Sequence, residues 1–98
     1  MRIKYWVNGK EGEVDNMEAL PPYVDKILVY IGEYVFEIPP NSQYYIGRQG
    51  KWILTNPPKF ELVGYHIMFI TPDNHMQWIW IKKGDKPVIL WNINLKES

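Results

Sequence analysis

Short apolar runs alternate with turn-forming residues along most of this chain. The densest run is Tyr65–Lys82, in which two stretches rich in Ile, Phe, Tyr and Trp flank Thr71–Asn74. Pro, Asp and Asn favour turns because they preset or tolerate the required backbone angles, and aromatic and β-branched residues fit a pleated, half-buried surface. The pattern predicts a β-hairpin that anchors the fold. Trp78 and Trp80 share one face of it, and we expect that face to lie in the core.

Glycine-containing turns predict three more hairpins. Asn8-Gly9 suits a type I′ turn, which needs positive φ at both central residues, and Gly32 suits the first central position of a type II′ turn. Gly47–Gly50 supplies two glycines that tolerate positive φ. The paired strands are expected at Ile3–Val7 with Lys10–Val14, Lys26–Tyr30 with Tyr34–Ile38, and Gln43–Ile46 with Lys51–Thr55.

The remaining segments complete an all-β pattern. Asp15–Glu18 resembles a helix-capping box, but Pro21-Pro22 ends any helix at once. Gly64 predicts a bend within the long run Phe60–Ile70, and Val88–Ile93 is the last strand. About nine short strands without βαβ alternation favour a small sandwich or barrel. We therefore predict an all-β, single-domain antiparallel meander over residues 1–98, with at most one short helical turn near residues 16–20.

Length and composition limit the cellular context. A chain of 98 residues is the size of one domain. It has no cysteine, which excludes disulfides and thiolate zinc sites and favours an intracellular, cytoplasmic location. No apolar run approaches the roughly 20 residues of a membrane span. Abundant Ile, Lys, Asn and Tyr indicate an AT-rich genome, so we expect a small viral or mobile-element accessory protein, or a thermostable one.

The charges are balanced in number but not in position. The formal net charge is 0, which argues against a dedicated duplex-DNA binder, because such binding depends on phosphate neutralisation. Residues 11–37 hold seven acidic residues and one lysine, whereas residues 38–98 hold seven basic and four acidic residues. The simplest interpretation is solvated faces that mix on folding. The alternative is a dipolar molecule with an anion-attracting or self-complementary face.

Candidate catalytic groups are few. A hairpin around Thr71–Asn74 would bring His66 opposite His75, with Asp73 nearby, and two histidines with one carboxylate are a known metal-binding set. No HExxH spacing accompanies them, and we favour ordinary surface histidines. Neither serine has the context of a nucleophile elbow. We therefore predict a protein that is not an enzyme and has no cofactor or metal.

The surplus of aromatic residues is the strongest functional indication. Five Trp and seven Tyr form either a large aromatic core or an exposed platform. Our first hypothesis is a non-enzymatic interaction module that binds a protein partner and self-associates as a homo-oligomer through aromatic strand surface. The second is a binder of single-stranded nucleic acid or small anions, since basic and aromatic residues interleave at Tyr45, Arg48, Lys51, Trp52 and Lys59. The third is an unrecognised enzyme that uses His66, His75 and Asp73.

Overall fold

The structure is a computed structural model, and it describes residues 1–49, 53–54, 60–82 and 85–95. Ten strands and one short 3₁₀ turn, Met17–Ala19, make up its regular structure in these ranges. The strands are β1 Arg2–Val7, β2 Lys10–Val14, β3 Lys26–Ile31, β4 Tyr34–Ile38, β5 Gln43–Gln49, β6 Ile53–Leu54, β7 Phe60–Glu61, β8 Gly64–Ile70, β9 His75–Ile81 and β10 Val88–Asn94.

The strands form two four-stranded antiparallel sheets and a small ribbon. The first sheet has the order β2-β1-β3-β4, the second has the order β10-β9-β8-β5, and β6 pairs with β7. This confirms the predicted all-β fold with one short helical turn. Two pairings join strands that are not consecutive in the chain: β1 with β3, and β5 with β8. No helix in the described ranges is long and apolar enough to cross a membrane.

The two sheets share one core. Alternate side chains of a strand point to opposite faces, and one face of each sheet supplies buried residues to a single apolar cluster. β3 lies inside its sheet, between β1 and β4. The first sheet contributes Ile3, Ile27, Val29, Ile31 and Ile38, and the second contributes Ile46, Ile67, Phe69, Ile79 and Ile81.

Cationic side chains cover the outer aromatic surface of the first sheet. The Arg2 guanidinium lies 4.8 Å from the Tyr30 ring centre and the Lys4 ammonium 5.6 Å from it. Lys26 lies 5.2 Å from the Trp6 ring. Long cationic side chains can cover apolar surface with their stems while the charge stays in water. This face is therefore partly closed by the sheet's own residues.

Local turn chemistry agrees with the predicted hairpins at three places. Asn8 and Gly9 have φ of 50° and 80°, as a type I′ turn requires. Gly32 has φ of 59°, whereas Glu33 is not among the positive-φ residues, which fits type II′. At the anchor hairpin, the Asn74 amide donates to the Thr71 carbonyl at 2.9 Å and closes the turn. The side chain of Asn16 also fits its predicted role before the short helical turn: it accepts a hydrogen bond from the Ala19 amide and so caps the 3₁₀ turn.

The hairpin predicted around Gly47–Gly50 is wrong. β5 continues as a strand to Gln49 and pairs with β8, so that Gly47 lies opposite His66. This pairing places Ile46 against Ile67, and both are buried. Burying apolar surface stabilises more than a local turn does, so the distant partner prevails. Residues 51, 52 and 55 of the predicted return strand lie outside the described residues, and β6 pairs with β7 instead.

Candidate functional site: an apolar edge strand and the covered face behind it

β10 is an edge strand with unusual exposure of apolar side chains. It lies at the end of its sheet, where β9 is its partner among the described strands. Five large apolar residues in and just after it are between 43% and 56% exposed: Val88, Ile89, Trp91, Ile93 and Leu95. The strand sequence VILWNIN contains no charged residue and no proline. An exposed apolar edge of this kind presents backbone groups ready to pair with another strand.

The other three edges of the two four-stranded sheets carry the charges that usually protect such positions. β2 contains Lys10, Glu11 and Glu13, β4 contains Glu37, and β5 contains Arg48. Charged side chains on an edge disfavour pairing with a second chain, because pairing would desolvate them. β10 differs from all three, which makes it the best candidate for an interface in the described part of the chain.

A bulge divides β10 into two parts. The pairing with β9 shifts between Ile89 and Trp91 and is regular from Trp91, opposite Trp78, to Asn94, opposite His75. Bulges increase local twist and interrupt regular pairing. The second part, Trp91–Asn94, therefore presents the more regular backbone edge, with Trp91 and Ile93 on one face.

A buried polar cluster lies behind this edge, on the outer face of the second sheet. His66 is fully buried and Trp78 is 5% exposed. The Trp78 indole N–H donates to His66 Nδ1 at 2.9 Å, and His66 Nε2 lies 2.8 Å from the Leu62 carbonyl. Because an indole nitrogen only donates and a carbonyl only accepts, His66 is the neutral tautomer with its proton on Nε2.

The burial of this cluster has an electrostatic consequence. Desolvation lowers the pKa of His66, and the hydrogen bond to the Leu62 carbonyl opposes it to a smaller extent. A second proton would have to sit on Nδ1, where the Trp78 N–H already points. Protonation would therefore break that hydrogen bond inside a buried site. The fold is compatible with the neutral form of His66, which packs against Trp78.

The segment just before β8 covers this outer face. Leu62 is 3% exposed, and the Val63 carbonyl accepts from the Trp80 indole N–H at 3.2 Å. Gly64 permits the bend into β8, since its φ is 144° and a Cβ there would lie 2.5 Å from the Ile81 carbonyl oxygen. The predicted bend at Gly64 is thus confirmed, and Gly64 is needed where two backbones approach closely.

Trp91 connects the exposed edge to the buried cluster. Its ring packs edge-on against Trp78, with centroids 5.8 Å apart and planes at 78°, a favourable arrangement for aromatic pairs. Trp91 itself is 49% exposed. One side of the edge surface is therefore held in place by a buried side chain while the other side faces solvent.

The predicted burial of the face that bears both tryptophans holds only in part. Trp78 is buried, but Trp80 is half-buried. Neither belongs to the cluster between the sheets, because they lie on the outer face of the second sheet with His66. The sequence pattern placed them on a shared face correctly, but it did not reveal which layer would cover that face.

The predicted histidine arrangement is wrong. His66 pairs with Trp80 and His75 pairs with Asn94, so their backbone positions lie five residues apart along β9, roughly 17 Å at ~3.4 Å per residue, and their side chains point to opposite faces. His66 is also not a surface histidine. Within the described ranges, no three His, Asp or Glu side chains are grouped closely enough to hold a metal ion.

The predicted basic and aromatic patch can be checked at two of its members. Tyr45 and Arg48 lie on β5 with opposite parity, so their side chains are on opposite faces of the sheet. Tyr45 packs over Gly47, whereas the Arg48 guanidinium lies 5.7 Å from the Tyr65 ring. Lys51, Trp52 and Lys59 lie outside the described residues. The two described members therefore do not form one surface.

Sequence reasoning identified β10 only as the last strand and missed its role as an exposed edge. One available signal was its lack of charge between the flanking Lys86 and Lys96. That signal was misleading, because strands buried inside a sheet also lack charged residues, and the sequence pattern therefore favoured a central strand. Comparison with known proteins adds no candidate: no family model, no curated protein and no solved structure matches this chain.

Proposed function

We propose that this protein is a non-enzymatic interaction module that forms a homodimer by pairing β10 with β10 of a second copy. The observation that carries the proposal is the uncharged β10 edge, whose large side chains are about half exposed. The proposal narrows the self-association hypothesis drawn from the aromatic content to one strand.

A second copy is the occupant that fits this edge most simply. Two identical strands related by a two-fold axis run antiparallel, so each supplies the same surface to the other. Such pairing joins the two second sheets into one continuous sheet of eight strands. It pairs backbone groups of β10 that no described strand pairs. It also brings Trp91 and Ile93 of both copies together, and aromatic residues are enriched at the centres of interfaces.

A groove also lies beside β10, on the face opposite to Trp91 and Ile93. A groove of about 610 Å³ lies between the edge strands β4 and β10. Phe36, Ile79 and Ile89 supply apolar lining, and Val35 at this groove is 53% exposed. Side chains of a paired second copy would cover part of this lining and remove further apolar surface from water.

The test is the concentration dependence of mass for the wild type and for Ile93→Lys. Light scattering after size exclusion, from low micromolar to millimolar protein, should show a dimer that dissociates on dilution. Ile93→Lys places two ammonium groups near the two-fold axis, and we expect it to raise the dimer dissociation constant by at least about tenfold, equivalent to 1.4 kcal/mol.

The matched control is Tyr23→Lys, which adds the same charge at a residue that is 85% exposed and outside every strand. It should dimerise as the wild type does. Circular dichroism of all three proteins establishes that they are folded. A monomeric wild type at the highest concentration, or equal dimerisation of Ile93→Lys, would reject the proposal.

A further inference from the structure

A separate cavity opens at one end of the sandwich, away from the regular part of β10. It has a volume of about 620 Å³, within the usual range for small-molecule sites. Its deepest lining comes from Ile31 and Ile81, which end β3 and β9 and are buried at 7% and 3% exposure. The cavity therefore reaches the end of the shared core.

Two tyrosines form facing walls of this cavity. Tyr34, at the start of β4, belongs to the first sheet, and Tyr65, near the start of β8, belongs to the second. Both are half-buried. Rings from two different sheets, above an aliphatic floor, suit a flat apolar body that can pack against aromatic faces.

Two cationic and two acidic side chains line the mouth of the cavity. Arg48 lies over the Tyr65 ring, with 5.7 Å between guanidinium carbon and ring centre, and Lys82 follows Ile81 on the same sheet. Glu33 lies in the turn before Tyr34, on the opposite wall, and Asp85 lies beside Lys82, to whose carbonyl its amide donates at 2.9 Å. No ion pair joins Arg48 to a carboxylate among the described residues. Its guanidinium is oriented by the ring, and its N–H groups can donate to an anion.

We propose that this cavity binds a small aromatic carboxylate. The ring of the ligand lies between Tyr34 and Tyr65 above Ile31 and Ile81, and its carboxylate binds Arg48. Arginine binds carboxylates with two parallel N–H donors while it stacks on an aromatic face. The site shares Arg48 with the predicted basic and aromatic patch, and it does not depend on the dimer.

The charge of Glu33 should affect ligand affinity in the opposite direction to the charge of Arg48. A carboxylate ligand in this cavity lies within reach of the field of Glu33, which repels it. Removal of that charge should tighten binding, whereas removal of the Arg48 charge should weaken it. A ligand held by apolar contact alone would respond to neither change, and a cationic ligand would respond with the signs reversed.

The experiment is a titration of the isotope-labelled full chain with naphthoate, followed by two-dimensional NMR. Backbone signals of Tyr34, Gly64, Tyr65 and Ile81 should shift on saturation. Arg48→Gln should weaken binding at least about tenfold, as expected when a charge-assisted hydrogen bond is lost. Glu33→Gln should tighten binding by roughly twofold to fivefold, as expected for a screened charge near the surface. The matched control Lys10→Gln, at an exposed cation on β2, should bind as the wild type does.

Neutral and cationic analogues complete the test. Naphthamide and naphthylmethylamine should bind at least about tenfold more weakly than naphthoate, since neither offers Arg48 an anion. Equal binding of either analogue, shifts confined to β10, unchanged affinity of Arg48→Gln, or no saturable binding at millimolar naphthoate would each overturn the proposal. Because Ile93→Lys leaves this cavity intact, its naphthoate affinity separates failure of the cavity from failure of the dimer.

Discussion

At the residue scale, His66 shows how a titratable group becomes a structural one. Both ring nitrogens are engaged by groups of fixed polarity, the Trp78 indole N–H and the Leu62 carbonyl. Full burial disfavours the charged ring. In the unfolded chain the same ring titrates near its ordinary pKa of about 6.5. The two states therefore bind protons differently in weakly acidic solution.

We predict that His66 makes the protein less stable in weak acid. The pKa of His66 is lower in the folded protein than in the unfolded chain. Its contribution to the free energy of unfolding is therefore complete above about pH 6.5 and is lost as the pH falls from there toward the folded pKa. Within that window, the free energy of unfolding should fall by up to about 1.4 kcal/mol per pH unit. Denaturant unfolding at a series of pH values measures this slope.

Two substitutions assign the pH effect to one ring. In His66→Asn the slope below about pH 6.5 should be reduced relative to the wild type, even though the variant is less stable throughout. In His75→Asn the slope should persist, because His75 is not part of the buried cluster. A wild-type slope that survives in His66→Asn and disappears in His75→Asn would contradict the assignment.

At the element scale, β9 separates two apolar layers. Ile79 and Ile81 face the cluster shared by the sheets, and Trp78 faces the outer layer with His66. The outer layer is covered by Leu62 and Val63, which cross that face before the chain bends at Gly64 into β8. The stability contribution of each tryptophan therefore depends on how far this covering segment and Trp91 enclose it.

We predict unequal costs for truncating the two tryptophans of β9. Trp78→Ala should lower the free energy of unfolding by about 3–5 kcal/mol, the range for large buried aromatic residues. Trp80→Ala should cost clearly less, since the ring is half-buried and its indole N–H donates to the Val63 carbonyl in an exposed position. Denaturant midpoints of the three proteins provide the comparison. Equal losses, or a larger loss in Trp80→Ala, would show that the outer layer is arranged differently.

At the scale of the whole molecule, one core joins the two sheets. Each sheet contributes five buried residues to the same cluster, and Ile3 and Ile67 are both fully buried. Neither sheet has another described partner for its inner face. Separation of the sheets would expose both inner faces at once, so the two sheets should unfold together.

We predict that a core truncation in either sheet destabilises both. Ile3→Ala and Ile67→Ala should each cost about 2–5 kcal/mol. Far-UV circular dichroism and tryptophan fluorescence should report the same midpoint in each variant, although Trp6 is in the first sheet and Trp78, Trp80 and Trp91 are in the second. Two separated transitions in either variant would contradict a single cooperative unit.

The sequence by itself determined the features that depend on neighbouring residues. Asn8-Gly9, Gly32 and Thr71–Asn74 select their hairpins because positive φ and preset φ are properties of those residue types. The short turn at Met17–Ala19 follows from a capping residue before it and two prolines after it. The bend at Gly64 was likewise readable, since Gly within a strand pattern marks a bend or close backbone approach.

Only the tertiary structure decided the features that depend on distant partners. Gly47 lies within a strand because β8 pairs there, and His66 is buried because Leu62 and Trp78 enclose its ring. β10 is an exposed edge because β9 occupies one side of it and no described strand occupies the other. The sequence shows whether a side chain is apolar. Which layer covers that side chain depends on contacts between segments far apart in the chain, and a local sequence pattern does not contain this information.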